Sequence, residues 1–468
     1  MTPATHIDLY QLSSLVPHFD AGLADTPVAM SFFSRRLPLS PHERKPVRGF
    51  LLWVGLRKAL QHLEQARFDG ARIDTLLAHP MVGPALRDRP ELVERLRAWR
   101  FRGHVVSPPE GTPLLAGSAV HLDGTPVEFN GIRPSAQCPY LVAETDLLSA
   151  KLIETPLLSI INHMTMVASK AARVVLAAGD RGVLEFGQRR THPDAAVDAA
   201  YAAWIAGCVG SSNVEANHRW GVPVAGTMDH FAIQAWERPD QPRHETESAF
   251  FRAFHKAYPA SSFLLVDTYD TYGEQTGIRA AVRATGGQLT GIRLDSNINV
   301  ESIREARRIL DEEGAPQATI AVSGGIDEYA VQELADAPVD LFGVGERIVT
   351  SPDAPVGVGA VGKLCLVDGR PTMKLSRGSG KATLPGLVQV WEQDDQQLVG
   401  LRGERPGGLL QPVWRGEEAL PQPTAAQTRA YAVGRLRALS PAWRQERQVD
   451  VPVTPAMSAL IQELSDAV

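Results

Sequence analysis

Short apolar runs alternate with longer helical patterns in the middle of the chain. Four runs of four to six residues occupy positions 263–266, 289–294, 319–322 and 339–344, and each is followed by Asp, Ser or Gly. The runs lack the strict apolar and polar alternation of half-exposed strands, as expected of parallel strands buried on both faces. Between two of the runs, a helical stripe is formed by Ile303, Ala306, Ile309 and Leu310. The pattern predicts a repeated βα unit, which favours a barrel or a doubly wound parallel sheet.

The two ends of the chain have a different pattern. Positions 49–67 form an amphipathic helical pattern that places four leucines on one face, namely Leu52, Leu56, Leu60 and Leu63. Positions 101–127 are rich in strand signals, and a Pro- and Gly-rich stretch occupies 400–422. We therefore predict an α+β domain in residues 1–150, an α/β domain carrying the site in residues 151–362, and a C-terminal segment, residues 363–468, that packs back on the first domain.

Composition excludes several classes of function. The 468 residues include 47 Lys and Arg against 53 Asp and Glu, a net charge of -6, so no basic excess marks a nucleic-acid or anionic-membrane surface. The three cysteines lie far apart, which predicts buried free thiols rather than a metal site or disulfides. The sequence has neither a secretory leader pattern nor a run of about 18 apolar residues. We expect a cytoplasmic protein.

Candidate ligand groups follow the predicted strands, because such groups gather at the carboxyl ends of parallel strands. Arg189 and Arg190 follow a short apolar run, and guanidinium groups bind carboxylate or phosphate oxygens bidentately, although a surface Arg pair can also be merely solvated. The segment 222–230 has the pattern of a short strand that runs into a turn of small residues and ends at His230, beside Asp229. The histidine could serve as nucleophile or general base, or form only local hydrogen bonds.

Two further strand ends carry groups suited to a sugar diphosphate. Arg293 and Asp295 are two residues apart and leave the strand on the same face, where they could bind phosphate and ribose or Mg²⁺, or form a structural salt bridge. Glycines that let backbone N–H groups approach a phosphate stand at the ends of the last two runs, at Gly324, Gly325, Gly343 and Gly345. Two such turns together with Arg293 predict an anion site.

In this order, ten motifs of the chain resemble those of the nicotinate phosphoribosyltransferase family, and the resemblance covers almost the whole sequence. The motifs are Asp8-Leu9-Tyr10-Gln11, Glu154-Thr155-Pro156-Leu157-Leu158 with Asn162-His163, Lys170-Ala171-Ala172-Arg173, Glu185-Phe186-Gly187 with Arg189-Arg190, Gly226-Thr227 with His230, Arg293-Leu294-Asp295-Ser296, Asp327-Glu328-Tyr329, Phe342-Gly343-Val344-Gly345, Met373-Lys374-Leu375-Ser376 and Lys381-Ala382-Thr383-Leu384-Pro385-Gly386.

The resemblance implies a type II phosphoribosyltransferase. Its fold would be an irregular (β/α) barrel of parallel strands with a second α+β domain built from the N- and C-terminal segments. Its active site would form where two subunits of a homodimer meet head to tail. The implied reaction converts nicotinate and phosphoribosyl pyrophosphate to nicotinate mononucleotide and pyrophosphate in NAD biosynthesis. ATP would be a co-substrate, and its hydrolysis would drive the reaction through a phosphorylated histidine. By position, that histidine is His230.

The resemblance also assigns roles to individual residues. His230, Arg293 and Asp295 would be the catalytic groups, with Mg²⁺ held through the diphosphate and by Asp295. Substrate contacts are expected from stacking, cationic, polar and glycine positions: Tyr10, Phe186, Arg189, Arg190, Ser212, Thr227, Gly324, Gly325, Gly343, Gly345 and Thr350.

The choice of base depends on a neutral stretch. Nicotinamide-using relatives carry an acidic residue near Ser211-Ser212-Asn213, which would repel a carboxylate, and this chain has none there. Nicotinate is therefore favoured over nicotinamide. Two alternatives remain: a phosphoribosyltransferase for another pyridine base such as nicotinamide or quinolinate, and a catalytically silent homologue. The second is motivated by Asn297-Ile298, where the family has Gly-Asp, and by Phe231 after the histidine.

Overall fold

A computed structural model describes residues 2–467 apart from positions 41, 42, 44, 117–119, 123, 124, 127, 130, 131, 133, 135–137, 353–356, 394 and 450. The chain forms two compact units. The terminal unit comprises Met1–Ser169 and Pro352–Val468, and the central unit comprises Lys170–Ser351. The helix Leu147–Ala178 contains the position at which the two units divide.

The central unit is a half-barrel of six strands, all of them parallel to their neighbours. Their order across the sheet is Gly210–Ser211, Gly182–Glu185, Leu341–Val344, Thr319–Val322, Gly291–Leu294 and Phe263–Leu265. Because the strands are parallel, their carboxyl ends share one edge of the sheet. All four apolar runs that the sequence pattern assigned to strands are confirmed.

Helices follow the strands in the central unit. They are Pro193–Ile205, Val214–Trp220, His230–Gln234, Arg243–Ala257, Gly277–Thr285, Val300–Glu312, Glu328–Glu333 and Glu346–Val349, with short 3-10 turns at Gly187–Arg189 and Pro259–Ser261. The helix Val300–Glu312 begins at a reciprocal cap, in which Asn299 and Ser302 each bond the other's backbone N–H. The predicted stripe on that helix, Ile303, Ala306, Ile309 and Leu310, is buried, which confirms it as a core-facing side.

The terminal unit is built around an antiparallel sheet to which both ends of the chain contribute. Its seven strands lie in the order Arg370–Pro371, Ala360–Val367, Pro27–Ser34, Leu141–Asp146, Gly103–Ser107, Gln411–Gly416 and Glu418–Ala419. Because the three strands from the N-terminal part lie between strands from the C-terminal part in one sheet, the expected second α+β domain of N- and C-terminal segments is confirmed. The fold is therefore the irregular (β/α) barrel with a second domain.

Smaller elements complete the terminal unit. The remaining helices are Leu9–Asp20, Leu56–Gln65, Gly70–Ala78, Val82–Arg87, Pro90–Ala98, Ala425–Arg437, Pro441–Arg444 and Pro455–Asp466. The remaining strands are Thr2–Pro3, Leu51–Leu52, Ala66–Arg67, Pro113–Leu114, Val120–Leu122, Thr125–Pro126, Val388–Gln393, Gln396–Leu401 and Val451–Pro452. The strand-rich interpretation of positions 101–127 is confirmed for the described residues there.

Two local predictions are wrong. Leu52 belongs to the strand Leu51–Leu52 rather than to the amphipathic helix, which begins at Leu56 after Gly55 adopts a φ of 132°. The short strand expected at the start of the segment 222–230 is only a single bridge, from Val224 to Ser211.

The cysteine prediction is confirmed, since all three thiols are free and buried. Burial raises the pKa of the Cys365 thiol to about 12, which keeps it protonated and unreactive. Among the described helices, none is both long enough and apolar enough to cross a lipid bilayer.

Candidate active site

His230 is the first residue of the short helix His230–Gln234 rather than the last residue of a strand. The Asp229 carboxylate accepts a hydrogen bond from the Ala232 backbone N–H at 2.9 Å, so it caps this helix instead of orienting the imidazole. Adjacency in the sequence therefore does not bring the Asp229 carboxylate to the imidazole. Thr227, just before the cap, is half-buried.

The imidazole of His230 instead faces two residues that follow the strand Phe263–Leu265. Its Nδ1 lies 3.1 Å from the Thr268 hydroxyl, and its Nε2 lies 3.9 Å from Asp267 Oδ1. The Asp267 side chain is only 2% exposed, while that of His230 is 39% exposed. The second carboxylate oxygen of Asp267 accepts the Asp295 N–H at 2.9 Å, which fixes its orientation. Thr268 therefore bonds one ring nitrogen, and the Asp267 carboxylate lies near the other without a hydrogen bond to it.

Arg293 holds the loop before His230 and keeps one donor unused. Its Nη2 donates to the carbonyl of Met228 at 2.8 Å, whereas its buried Nε has no hydrogen-bond partner among the described residues. Burial lowers the pKa of Arg293, an effect opposed by Asp295 and Asp267 and increased by the nearby charge of Arg189. Two cationic groups from different strand ends thus lie within electrostatic range of one another.

Asp295 lies against the Gly324-Gly325 turn. One oxygen of its carboxylate accepts the Ser323 hydroxyl. Gly324 and Gly325 have φ values of 94° and 74°, and a Cβ on Gly324 would lie 2.3 Å from the Asp295 carbonyl oxygen. Asn297 adopts a φ of 52°, a left-handed conformation that asparagine tolerates, so it keeps a backbone suited to glycine. Asp295, Asn297 and both glycines line a cavity of about 280 Å³.

Glu185 ties two strand ends together beneath the neutral serine stretch. Its buried carboxyl group accepts the Ser211 hydroxyl at 2.6 Å and the Gly187 N–H, and burial raises its pKa. The Ser212 N–H donates to the Glu185 carbonyl at 3.0 Å, and the Asn213 N–H donates to the Ser211 hydroxyl at 3.0 Å. An acidic group therefore does contact this stretch, but both of its oxygens are used within the chain.

Phe186 explains two of the glycines by packing. Its N–H donates to the Val344 carbonyl at 2.8 Å, and its ring lies 2.5 Å from the position of a Cβ on Gly343. A Cβ on Gly345 would lie 3.0 Å from the Phe186 carbonyl oxygen. Glycine at these two positions therefore admits the ring and backbone of Phe186. Contact of either glycine with substrate stays a prediction.

The two adjacent arginines differ in their surroundings. Both are exposed, but Arg190 Nε lies 3.6 Å from the Glu346 carboxylate, while Arg189 forms no ion pair within the described part of the chain. Glu346 faces Arg190, which accounts for an acidic residue near an anion site. The Thr350 hydroxyl donates to the Glu346 carbonyl at 2.8 Å. Arg189 is thus the member of the pair better placed to bind an external anion.

Two of the family-like motifs meet in a buried ion triad. The carboxylate of Glu328 lies 2.7 Å from Lys170 Nζ and 3.2 Å from Arg173 Nε, and the side chains of Lys170 and Glu328 are each 1% exposed. Asp327 caps the helix that begins at Glu328 by accepting the Tyr329 N–H at 3.1 Å. This triad anchors the helix that follows the Gly324-Gly325 turn.

Two other motifs meet within the terminal unit. The Gln11 side-chain amide donates to Glu154 at 2.6 Å, and the Thr155 hydroxyl donates to Asp8 at 3.1 Å. Tyr10, between Asp8 and Gln11, is 53% exposed. An aromatic side chain of that size left half in water is available to a ligand or to another subunit.

Sequence reasoning missed three acidic groups and one hydroxyl. Asp267 and Thr268 directly follow a predicted strand, so the rule that ligand groups lie at strand ends could have identified them. Glu185 carried no signal of its own beyond the motif around it. Glu247, discussed below, lies in mid-helix, where the sequence pattern gives no indication of a site.

Asp295 is the side chain that the resemblance assigns to magnesium. In the described ranges, no group of three or more His, Cys, Asp or Glu side chains is arranged to hold a metal. Asp295 keeps one carboxylate oxygen that is not bonded to Ser323. This arrangement fits Mg²⁺ bound mainly by substrate phosphates with one protein carboxylate, as is usual for that ion.

Comparison with known proteins agrees with this geometry. Residues 167–354 match a family model described as quinolinate phosphoribosyl transferase, C-terminal domain. The chain is 38% identical over 369 residues to a nicotinate phosphoribosyltransferase of Mycobacterium tuberculosis, covering 79% of this chain and 74% of that protein. It is 33% identical over 398 residues to the nicotinate phosphoribosyltransferase of Bacillus subtilis, covering 82% and 72%.

Solved structures show the same architecture. Human nicotinic acid phosphoribosyltransferase superposes with a TM-score of 0.78 at 25% identity, covering 98% of this chain and 99% of that one. The nicotinate-nucleotide pyrophosphorylase of Pyrococcus furiosus superposes with a TM-score of 0.69 at 23% identity, covering 93% and 95%. The second similarity concerns the fold alone.

Proposed function

Because this chain belongs to the nicotinate phosphoribosyltransferase family, we propose that it joins nicotinate to the ribose of phosphoribosyl pyrophosphate, forming nicotinate mononucleotide and pyrophosphate for NAD synthesis. The observation that carries the proposal is the gathering of Arg189, His230 and Arg293 at one edge of the parallel sheet. Arg189 and Arg293 follow two strands, and His230 begins a helix whose preceding loop is bonded by Arg293. A flat acid and a diphosphorylated sugar both need cations at such an edge.

The reaction forms one bond and breaks one. The pyridine nitrogen of nicotinate bonds to the anomeric carbon as the carbon–oxygen bond to pyrophosphate breaks, and the leaving group takes the electron pair. Negative charge develops on the pyrophosphate, so the guanidinium of Arg293, with its unused Nε–H, is suited to stabilise it. Asp295 is suited to accept from the ribose hydroxyls. Magnesium, when bound to the diphosphate, neutralises part of its charge.

Arg189 is the proposed anchor for the nicotinate carboxylate. It is exposed and lacks an ion pair within the described residues, and its charge already acts on Arg293. Phe186, whose ring packs against the Gly343 position, is suited to form one aromatic wall for the pyridine ring. Thr227 and Ser212 are proposed polar contacts to the base, and Thr350 and the glycine turns are proposed contacts to phosphate.

We further propose that ATP hydrolysis is coupled to synthesis through His230. The imidazole is 39% exposed, against 2% for the Asp267 side chain, so a phosphoryl group can reach it. The Thr268 hydroxyl holds the ring through Nδ1, and the Asp267 carboxylate lies 3.9 Å from Nε2, where its charge favours a nucleophilic histidine. In the proposed step the imidazole attacks the terminal phosphorus of ATP, which forms a phosphohistidine and releases ADP.

The proposed assembly is a homodimer in which Tyr10 of one subunit stacks on the base bound by the other. Support comes from the family resemblance and from the exposure of the Tyr10 ring, 53% in the single chain. Aromatic side chains with an apolar face and a polar tip are common at such shared surfaces.

The direct test is a product assay with nicotinate, nicotinamide and quinolinate, each with phosphoribosyl pyrophosphate and each with and without ATP. We expect nicotinate mononucleotide as the main product and a higher rate with ATP. Higher efficiency with nicotinamide or quinolinate would reject nicotinate as the substrate. Absence of product with all three bases would support the silent homologue.

Replacement of His230 by Ala tests the ATP step separately. Because the histidine would serve phosphoryl transfer and not glycosyl transfer, we expect H230A to lose ATP-coupled turnover and keep some ATP-independent synthesis. ATP hydrolysis at the wild-type rate in H230A would contradict this role.

A further inference from the structure

The loop that carries both partners of His230 is fastened at its far end. Asp267 and Thr268 open this loop, which runs through positions 266–276 and leads into the helix Gly277–Thr285. Their distances to the imidazole therefore depend on where the loop is held. A displacement of about 1 Å at such a contact can change rates by roughly 100-fold.

The helix at the end of the loop lacks a cap of its own. Thr276 stands at the N-cap position, but its hydroxyl donates to the Asp270 carbonyl at 2.8 Å and caps no helical N–H. Gly277 has a φ of 57°, and a Cβ there would lie 2.2 Å from the Thr271 carbonyl oxygen. The chain makes a tight turn at this point, and the Gly277 N–H needs an acceptor from elsewhere.

Glu247, from the neighbouring helix Arg243–Ala257, supplies that acceptor. Its Oε2 accepts the Gly277 N–H at 2.7 Å. The residue is fully buried, and its Oε1 has no hydrogen-bond partner within the described part of the chain. Burying a carboxyl group so poorly satisfied is costly, more so because Asp267 and Asp270 add negative charge nearby. This cost indicates that Glu247 has a role beyond packing.

We infer that Glu247 is a positioning residue for the histidine step: by holding Gly277 it sets the loop that places Asp267 and Thr268 against His230. The inference rests on the proposed ATP coupling through His230. Glu247 itself touches no reacting atom. Its loss should therefore act on the coupled reaction and leave the uncoupled synthesis nearly unchanged.

The test compares two substitutions of similar size in the full-length enzyme. Glu247→Met fills a similar space but has no oxygen to accept the Gly277 N–H. Glu247→Gln keeps an oxygen acceptor and removes the charge. Glu245→Gln is the matched control, since Glu245 is an exposed glutamate on the same helix as Glu247. Two readouts are measured for each variant. One is amide hydrogen exchange of the peptide covering 266–277, and the other is synthesis with and without ATP.

The expected result is selective. In E247M the amides of the peptide covering 266–277 exchange faster, and ATP-coupled turnover falls by roughly 10-fold to 100-fold. The rate of ATP-independent synthesis and the KM for nicotinate both stay within about twofold of wild type. E245Q behaves as wild type in both readouts, and E247Q keeps wild-type coupling with amide exchange no faster than that of wild type. Unchanged exchange and coupling in E247M would overturn the inference. An equal loss of coupled and uncoupled synthesis would overturn it too, because that result indicates a merely structural role.

A second variant covers the possibility that E247M does not fold. Thr276→Val removes the other hydrogen bond that closes the same turn, to the Asp270 carbonyl, and is expected to give the same selective pattern more weakly. Unaltered exchange and coupling in T276V would then count against the inference. Failure of the histidine step and failure of the role of Glu247 give different results. If H230A retains ATP coupling, the proposed histidine step fails, whereas a wild-type E247M beside an uncoupled H230A defeats only the role of Glu247.

Discussion

His230 presents its two ring nitrogens to Thr268 and to Asp267, whose side chain is only 2% exposed. Asp267→Asn keeps an oxygen that can accept the Asp295 N–H but removes the negative charge 3.9 Å from the imidazole Nε2. We expect D267N to lower ATP-coupled turnover by roughly 100-fold or more, the usual size of a lost acid–base partner, and to spare ATP-independent synthesis. Steady-state rates with and without ATP measure this. A D267N enzyme with full coupling would show that the carboxylate is only structural.

Glu247 also predicts a pH dependence of stability. Burial raises its pKa to about 7, and Asp267 and Asp270 act in the same direction against the Gly277 hydrogen bond. A carboxyl group whose pKa is higher in the folded state destabilises that state once it ionises. The free energy of unfolding should therefore fall as pH rises from about 4.5 to about 7 and stay low above that range.

Glu247→Gln removes this ionisation. Relative to wild type, E247Q should gain stability on the order of 1 to 3 kcal/mol at pH 8 and much less at pH 5. Urea unfolding of both proteins at the two pH values measures the difference. A gain that is equal at both pH values, or larger at pH 5, would contradict an ionising Glu247.

At the scale of elements, the Gly324-Gly325 turn offers a matched pair of substitutions. Both glycines have positive φ, but a Cβ on Gly324 would meet the Asp295 carbonyl at 2.3 Å, whereas nothing lies within 4 Å of a Cβ on Gly325. Gly325→Ala should cost about 1 kcal/mol of stability from backbone strain alone. Gly324→Ala should cost more and raise the KM for phosphoribosyl pyrophosphate, because Asp295 must move. Equal effects in unfolding and kinetics would show that the close approach is not required.

The elements themselves were predictable where a single periodicity dominated. The run 319–322 coincides with the strand Thr319–Val322, and the stripe of Ile303 with its three companions coincides with a buried helix face. The segment ending at His230 was not predictable, because short apolar residues there resemble a strand while Asp229 starts a helix. Tertiary contacts of the Arg293 guanidinium, which bonds Met228, hold that segment in its irregular form.

At the scale of the whole molecule, the proposed shared site predicts complementation between two defective chains. Tyr10→Ala and Arg189→Ala each remove a different proposed contact with the base. If one site takes Tyr10 from one subunit and Arg189 from the other, mixed dimers regain one intact site. Co-expression of equal amounts should then restore roughly a quarter of wild-type activity. Activity no higher than that of the two variants assayed singly would argue against sharing.

The meeting of distant motifs could be expected from the family resemblance but not from local pattern. Lys170 and Glu328 are 158 positions apart in the sequence, and the fold brings Lys170 Nζ to 2.7 Å from the Glu328 carboxylate. Asp267 follows a predicted strand and was identifiable by its position, whereas Glu247 lies in mid-helix and acts through Gly277, its neighbour in space. Strand ends can be located from periodicity, whereas the side chains that orient the strand-end groups depend on packing between helices.

The central claim is that positive charge at the sheet edge selects a pyridine carboxylate. The most direct measurement is the ratio of kcat/KM for nicotinate to that for nicotinamide, in wild type and in Arg189→Ala. Loss of one charge-assisted contact of about 1.5 to 3 kcal/mol predicts a ratio lower by roughly 10-fold to 100-fold in R189A, with Arg190→Ala less affected because Glu346 pairs with Arg190. A ratio that is the same in R189A and wild type would contradict the claim.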